Sequence, residues 1–132
     1  MPVFKDAAEV DAYIGEIFRQ ATADETLGQK FADSGVVLKL NYTEPTSTIY
    51  ADFPNRSITF GEQGPTPNVE LFMKADVAHR FWLGKVNIAA ALAKGDMRAK
   101  GPIPKVLKLV PLAKQLFPRY QEMVEKGSLV AT

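Results

Sequence analysis

Few side chains in this sequence are of the types that do covalent chemistry. It has one histidine, His79, and no cysteine. Thiolate nucleophiles, disulfides, cysteine metal centres and histidine pairs are therefore excluded by composition. His79 lies beside Arg80 in a helix-forming stretch and reads as a solvated helix residue rather than a base. The carboxylates fall in pairs such as Asp6/Glu9 and Asp24-Glu25, where N-capping and the helix dipole account for them. General acid–base catalysis needs two carboxylates that converge in a cleft with divergent environments, and no spacing here supplies that. The stretch Gly61–Pro67 contains glycine but no lysine. It matches no phosphate-cradling spacing and reads as a crossover loop. The residues point away from an enzyme, and they imply no metal and no cofactor.

Length and charge narrow the field further. A chain of 132 residues is expected to form one domain over residues 1–132, large enough for a single core. The net charge of +1 gives no global field for nucleic acid, and no sheet face interleaves aromatic with basic residues. Between Lys94 and Lys126, eight basic residues (Lys94, Arg98, Lys100, Lys105, Lys108, Lys114, Arg119, Lys126) face three acidic ones (Asp96, Glu122, Glu125). The start, MPVFKDAAEVD, lacks the long apolar core of a signal peptide, and no run approaches the ~20 apolar residues of a membrane span. The end, Leu129-Val130-Ala131-Thr132, is not a Ser-Lys-Leu address. A cytoplasmic location is the expectation.

The elements follow from periodicity. Val10, Tyr13, Ile14, Ile17, Phe18 and Ala21 recur at helical spacing, which predicts an amphipathic helix from Asp6 to about Thr22. A second helix is predicted over Glu25 to Asp33. The period then changes to two. Strands are expected over residues 36–43, 47–53 and 57–61, with Val36, Leu38, Leu40, Tyr42, Ile49, Ala51, Phe53, Ile58 and Phe60 facing inward. A fourth strand spans Asn68 to Lys74, and Asp76 helps to start a helix that runs to Gly84. The last segment, Pro102 to Lys126, carries Ile103, Val106, Leu107 and Val110 on one stripe, and Pro111 is the expected place for a kink or break. Helices, meander, crossover, strand–helix–strand and terminal helix make an α+β order. The strand alternation buries one sheet face, on which the helices must gather.

The stretch Phe81–Gly101, FWLGKVNIAAALAKGDMRAKG, organises the rest. A small-residue helix runs to Gly95, which suits the left-handed position past a helix end, and Met97–Lys100 forms a short strand. The pattern Gly84-Lys85, Ala90-Ala91-Leu92, Lys94-Gly95-Asp96-Met97-Arg98 and Gly101 resembles the sterol carrier protein 2, non-specific lipid-transfer family. The likeness extends less strictly from about Phe31 to Leu116. It implies a five-stranded mixed, mostly antiparallel sheet, with helices covering one face and a hydrophobic tunnel between the layers. By that resemblance, together with apolar patterning, the lining comes from Met73, Trp82, Ile88, Leu92, Met97, Leu107, Val110, Leu116, Phe117 and Tyr120. Tyr120, with Lys114, is placed near the entrance. Met73, Met97 and Met123 suit adaptable walls. The implied function is non-enzymatic binding and carriage of a fatty acid, acyl-CoA or sterol-like lipid. The basic C-terminal face would contact anionic membranes transiently, and the protein would be a monomer or weak dimer. The alternative is a protein-interaction or regulatory module, or a non-catalytic accessory to an enzyme of acyl or steroid metabolism.

Overall fold

The computed structural model of the chain describes residues 2–127; the C-terminal residues read above for a sorting address lie outside them. The first helix is nearly continuous. α1 (Ala7–Val10) passes through a π-helical turn, Asp11–Gly15, into α2 (Glu16–Ala23). Asp6 caps it by accepting from the Glu9 N–H at 2.9 Å, and the Glu9 carboxylate accepts from the Lys5 N–H. The reciprocal bond of a capping box thus reaches one residue beyond the cap itself. Asp24 ends this helix and starts α3 (Glu25–Asp33), accepting from the Thr26 and Leu27 N–H groups at 3.0 and 2.8 Å.

Strands β1 (Val37–Thr43), β2 (Ser47–Asp52) and β3 (Ser57–Phe60) form the antiparallel meander, and β4 (Val69–Lys74) then pairs in parallel with β1. After α4 (Ala75–Trp82) and α5 (Ile88–Lys94), β5 (Met97–Lys100) adds antiparallel to β4. The sheet order is β3-β2-β1-β4-β5. It is the expected α+β fold with a five-stranded mixed, mostly antiparallel sheet. Gly95 closes α5 in the left-handed conformation at φ 83°, the position its place in the sequence predicts.

Two sequence expectations change. The outer face of β2 is not solvated: Tyr50 and Asp52 are buried. The crossover loop folds back over Tyr50, whose hydroxyl donates to the Glu62 carbonyl at 2.9 Å, and Gly64 sits against its ring. Alternation cannot reveal a loop that covers the polar side. The C-terminal helix breaks elsewhere than expected. α6 (Ile103–Lys114) continues through Pro111, and the interruption falls at Gln115 and Leu116, ahead of α7 (Phe117–Lys126). Pro118 stands in the first turn of α7, where its missing N–H costs nothing. Pro111 deprives only the Leu107 carbonyl of its helical donor.

Gly101 fixes how β5 leaves the sheet. Its φ is 103°, and an added Cβ would lie 2.5 Å from the Asn68 carbonyl oxygen. Asn68 in turn pins the start of β1, accepting from the Val37 N–H and donating to the Gly35 carbonyl, both at 2.9 Å. Gly101→Ala is expected to destabilise the domain by more than about 1 kcal/mol, because strain and a backbone clash combine. Urea denaturation measures this, and an unchanged midpoint would contradict it.

Candidate functional site

The site begins as a row of side chains across the inner face of the sheet. Tyr42 on β1 stands opposite Met73 on β4, and Met73 opposite Met97 on β5; one step along, Leu40 stands opposite Leu71. All five are buried. Facing them are Phe18 from α2, Phe31 from α3, Ala78, Phe81 and Trp82 from α4, Ile88 from α5, and Val106, Leu109, Val110 and Ala113 from α6.

These two layers do not close. Between them is a cavity of about 70 Å³, walled almost entirely by carbon. Packed interiors seldom leave voids larger than a water molecule, and a void without polar groups stays dry. The volume is nevertheless well short of the ~300–1,000 Å³ typical of sites that enclose drug-sized ligands. A long hydrocarbon therefore requires the layers to part. Outside the cavity a groove of about 510 Å³ runs between the segment Gly84–Ala89 and α6, sharing Phe81, Ile88 and Val110 with the cavity wall. Lys85 and Lys114 line this groove.

Of the residues singled out from sequence, Met73, Trp82, Ile88, Met97 and Val110 line the cavity. Leu107 and Phe117 line the outer groove instead. Leu92 faces a shallow depression beside Phe72 and Ile103. Leu116 is fully buried in the core away from the cavity. Periodicity does not single out Leu109 and puts Ile103 and Leu107 on the same stripe as Val106 and Val110. In the fold Leu109 points in, while Ile103 and Leu107 are 42% and 39% exposed. The apolar arc of α6 is wider than its buried face, so periodicity alone could not choose the centre. The inward strand positions Leu38 and Leu40 are legible as buried; nothing local marks them as cavity wall.

Tyr120 and His79 are placed differently from the sequence expectation. Neither is solvated or at an entrance: both are fully buried, with His79 Nδ1 and the Tyr120 hydroxyl 2.7 Å apart. The Phe4 ring stands edge-on to His79 with centroids 5.4 Å apart. Burial, reinforced by Tyr13, holds the Tyr120 phenol far above its usual range. This pair is a satisfied core contact that ties α7 to α4. Trp82 is wedged among Phe18, Phe81, Phe117 and Tyr120, at centroid distances of 5.4, 5.3, 6.0 and 6.3 Å.

A model of the SCP-2 sterol transfer family matches residues 14–114. The chain belongs to that family. Solved structures agree on the fold. The apo sterol carrier protein 2 from Yarrowia lipolytica superimposes with a TM-score of 0.67 at 19% identity, over 86% of this chain and 96% of that one. Sterol carrier protein 2 from Aedes aegypti, in complex with the C16 fatty acid palmitate, gives 0.58 at 18% identity, over 82% and 94%. The sec-alkylsulfatase Pisa1 from Pseudomonas sp. contains a similar unit: 64% of this chain matches 14% of that enzyme at a TM-score of 0.56 and 16% identity. A search of curated proteins finds no sequence match. Among the described residues no cluster suits a metal ion, and no helix is long and apolar enough to cross a membrane.

The His79–Tyr120 contact gives a direct test of core against site. Tyr120→Phe leaves a buried imidazole nitrogen without this partner and is expected to cost about 1–3 kcal/mol of stability, while uptake of an apolar probe by the folded variant stays unchanged. Chemical denaturation and probe titration read the two effects separately. Unchanged stability would contradict the assignment.

Proposed function

We propose that this sterol-transfer-family chain binds and carries a hydrophobic ligand, without performing chemistry on it, in a tunnel made by enlarging the cavity between sheet and helices. The observation that carries this reading is the cavity itself: an unfilled, carbon-walled space at the centre of an otherwise closely packed domain. Each CH₂ moved from water into such a space contributes ~0.8 kcal/mol. A fatty acid, acyl or sterol-like ligand thus gains affinity from its length, and the site tolerates different headgroups.

The manner of attachment of the two C-terminal helices favours α6 as the wall that moves. α7 is tied by polar bonds: Tyr120 to His79 on α4, Arg119 to Asp24 at 2.8 Å, and Gln121 to the Leu83 carbonyl at 3.4 Å. Among the described residues no side chain of α6 makes a hydrogen bond or ion pair to another element; it is held by Val106, Leu109 and Ala113 packing inward. Apolar contacts are non-directional and re-form after displacement by a ligand. Opening would therefore run along the groove between Ile88 and Val110. Exposed Ile103 and Leu107 lie one turn apart on this helix, among Lys105, Lys108 and Lys114. Set against an anionic bilayer, each such lysine contributes ~1 kcal/mol, which brings the groove to its lipid source.

Trp82 is the only tryptophan in the chain and lines the cavity, so its emission reports occupancy. Ala113→Leu adds carbon where the cavity has room and is expected to weaken uptake of a long-chain fatty acid at least tenfold. Its melting temperature should equal or exceed that of the parent, as with other cavity-filling changes. Unchanged affinity in the folded variant would place the ligand elsewhere and overturn the proposal.

A further inference from the structure

On the sheet face turned away from the helices, the outward positions of β1, β4 and β5 form two rows, Lys39–Glu70–Lys100 and Asn41–Phe72–Arg98. Lys39 pairs with Glu70 at 3.9 Å, and beyond these rows Lys74 pairs with Glu44 at 3.3 Å. Arg98 and Lys100 are both exposed and have no carboxylate partner among the described residues. Instead both lie over the Phe72 ring, 5.2 and 5.7 Å from its centroid. An aromatic ring holds a cation in place without neutralising it.

These two cations stand on an edge. β5 pairs with β4 on one side and with no strand on the other, and among the described residues no backbone group of a loop or helix bonds to Met97–Lys100. A free strand edge presents a row of unpaired N–H and C=O groups, a template for a further strand. A shallow depression of about 570 Å³ follows this edge. Phe72, Arg98 and Lys100 line it on the outer side of the sheet, and Leu92 of α5 and Ile103 of α6 on the helical side. A strand laid along β5 would send alternate side chains to these two sides, one basic and one apolar.

We propose that the free edge of β5 takes up an extended segment of a partner protein as a sixth strand, one in which acidic residues alternate with apolar ones. Its backbone pairs with Met97–Lys100, its carboxylates meet Arg98 and Lys100, and its apolar side chains cover Leu92 and Ile103. A second copy of β5 does not fit. Paired antiparallel, edge to edge, it would set Arg98 and Lys100 against the same cations. Such charges ordinarily guard an edge against its own kind; here they also select the sign of what can join. Single-stranded nucleic acid is poorly matched, because its bases need an open ring to stack on. Phe72 is already covered by two cations, and Tyr50, the other aromatic residue on this face, is buried under the crossover loop. The depression shares no residue with the groove at Lys85 and Lys114, so this inference stands apart from the carrier reading.

The test titrates the peptide acetyl-Glu-Val-Glu-Val-Glu-Val-amide into the protein by calorimetry and reads hydrogen–deuterium exchange on the complex. The peptide is expected to bind and to slow exchange at Met97–Lys100. The same peptide N-methylated at every backbone nitrogen should bind at least about tenfold more weakly, as should the block peptide acetyl-Glu-Glu-Glu-Val-Val-Val-amide and the cationic acetyl-Lys-Val-Lys-Val-Lys-Val-amide. Arg98→Glu combined with Lys100→Glu should reverse the choice, losing the glutamate peptide and taking up the lysine one, a gain that an unfolded variant could not show. Equal binding of the N-methylated or the block peptide would reveal a charged surface only and overturn the strand site. Slowed exchange at Ser57–Phe60, the opposite edge, in place of β5 would overturn it as well. If no peptide binds at about millimolar concentration, the two cations only guard the edge and the proposal fails. Tighter binding of a deoxythymidine decamer at Arg98 and Lys100 would assign the face to nucleic acid and refute it too.

Discussion

Two apolar layers meet here without filling the space between them, and the rest of the structure depends on that mismatch. On one side the pleat aligns Tyr42, Met73 and Met97 across three strands. On the other, aromatic side chains of α2, α3 and α4 hold the helical layer off the sheet. Trp82 props this layer: it contacts Phe18, Phe81, Phe117 and Tyr120 and also borders the void. Large rings that are already packed against one another cannot relax into a gap below them. The void persists because its rim is rigid.

Polar and apolar attachments divide the helices by role. α3 and α7 are joined through Asp24 and Arg119, and α7 and α4 through Tyr120 and His79. Such bonds have direction and fix one geometry. α6 lies between these anchored parts with no polar tie of its own among the described residues, and it carries exposed lysines and the exposed pair Ile103 and Leu107. An element held by dispersion and water exclusion alone can shift by fractions of a turn without leaving a donor unsatisfied. The helical connection between α6 and α7 is interrupted at Gln115 and Leu116.

Much of this was legible in the chain because the signals were local. Period-two alternation at Leu38, Leu40 and Tyr42, the cap Asp6, and the left-handed Gly95 each depend on a few neighbouring residues. The family pattern around Gly84–Gly101 implied five strands with helices on one face, whereas the strand order and the parallel pairing of β4 with β1 are non-local and appear only in the fold. What was hidden is non-local. His79 looks like a surface residue until Phe4 and Tyr120, which are 75 and 41 positions away, close over it. Leu109 and Leu107 are indistinguishable by residue type, and only the docking angle of α6 decides which one meets the cavity. The Tyr42 hydroxyl reads as one more inward aromatic until the fold shows it buried without a hydrogen-bond partner among the described residues.

The most direct measurement is a crystal structure of the protein bound to a long-chain lipid. The account predicts continuous ligand density between sheet and helices, touching Leu40, Met73, Trp82 and Leu109, with α6 displaced outward and α7 kept in place by Arg119 and Tyr120. Ligand bound only to the outer surface, with the two layers no further apart than in the empty protein, would contradict it.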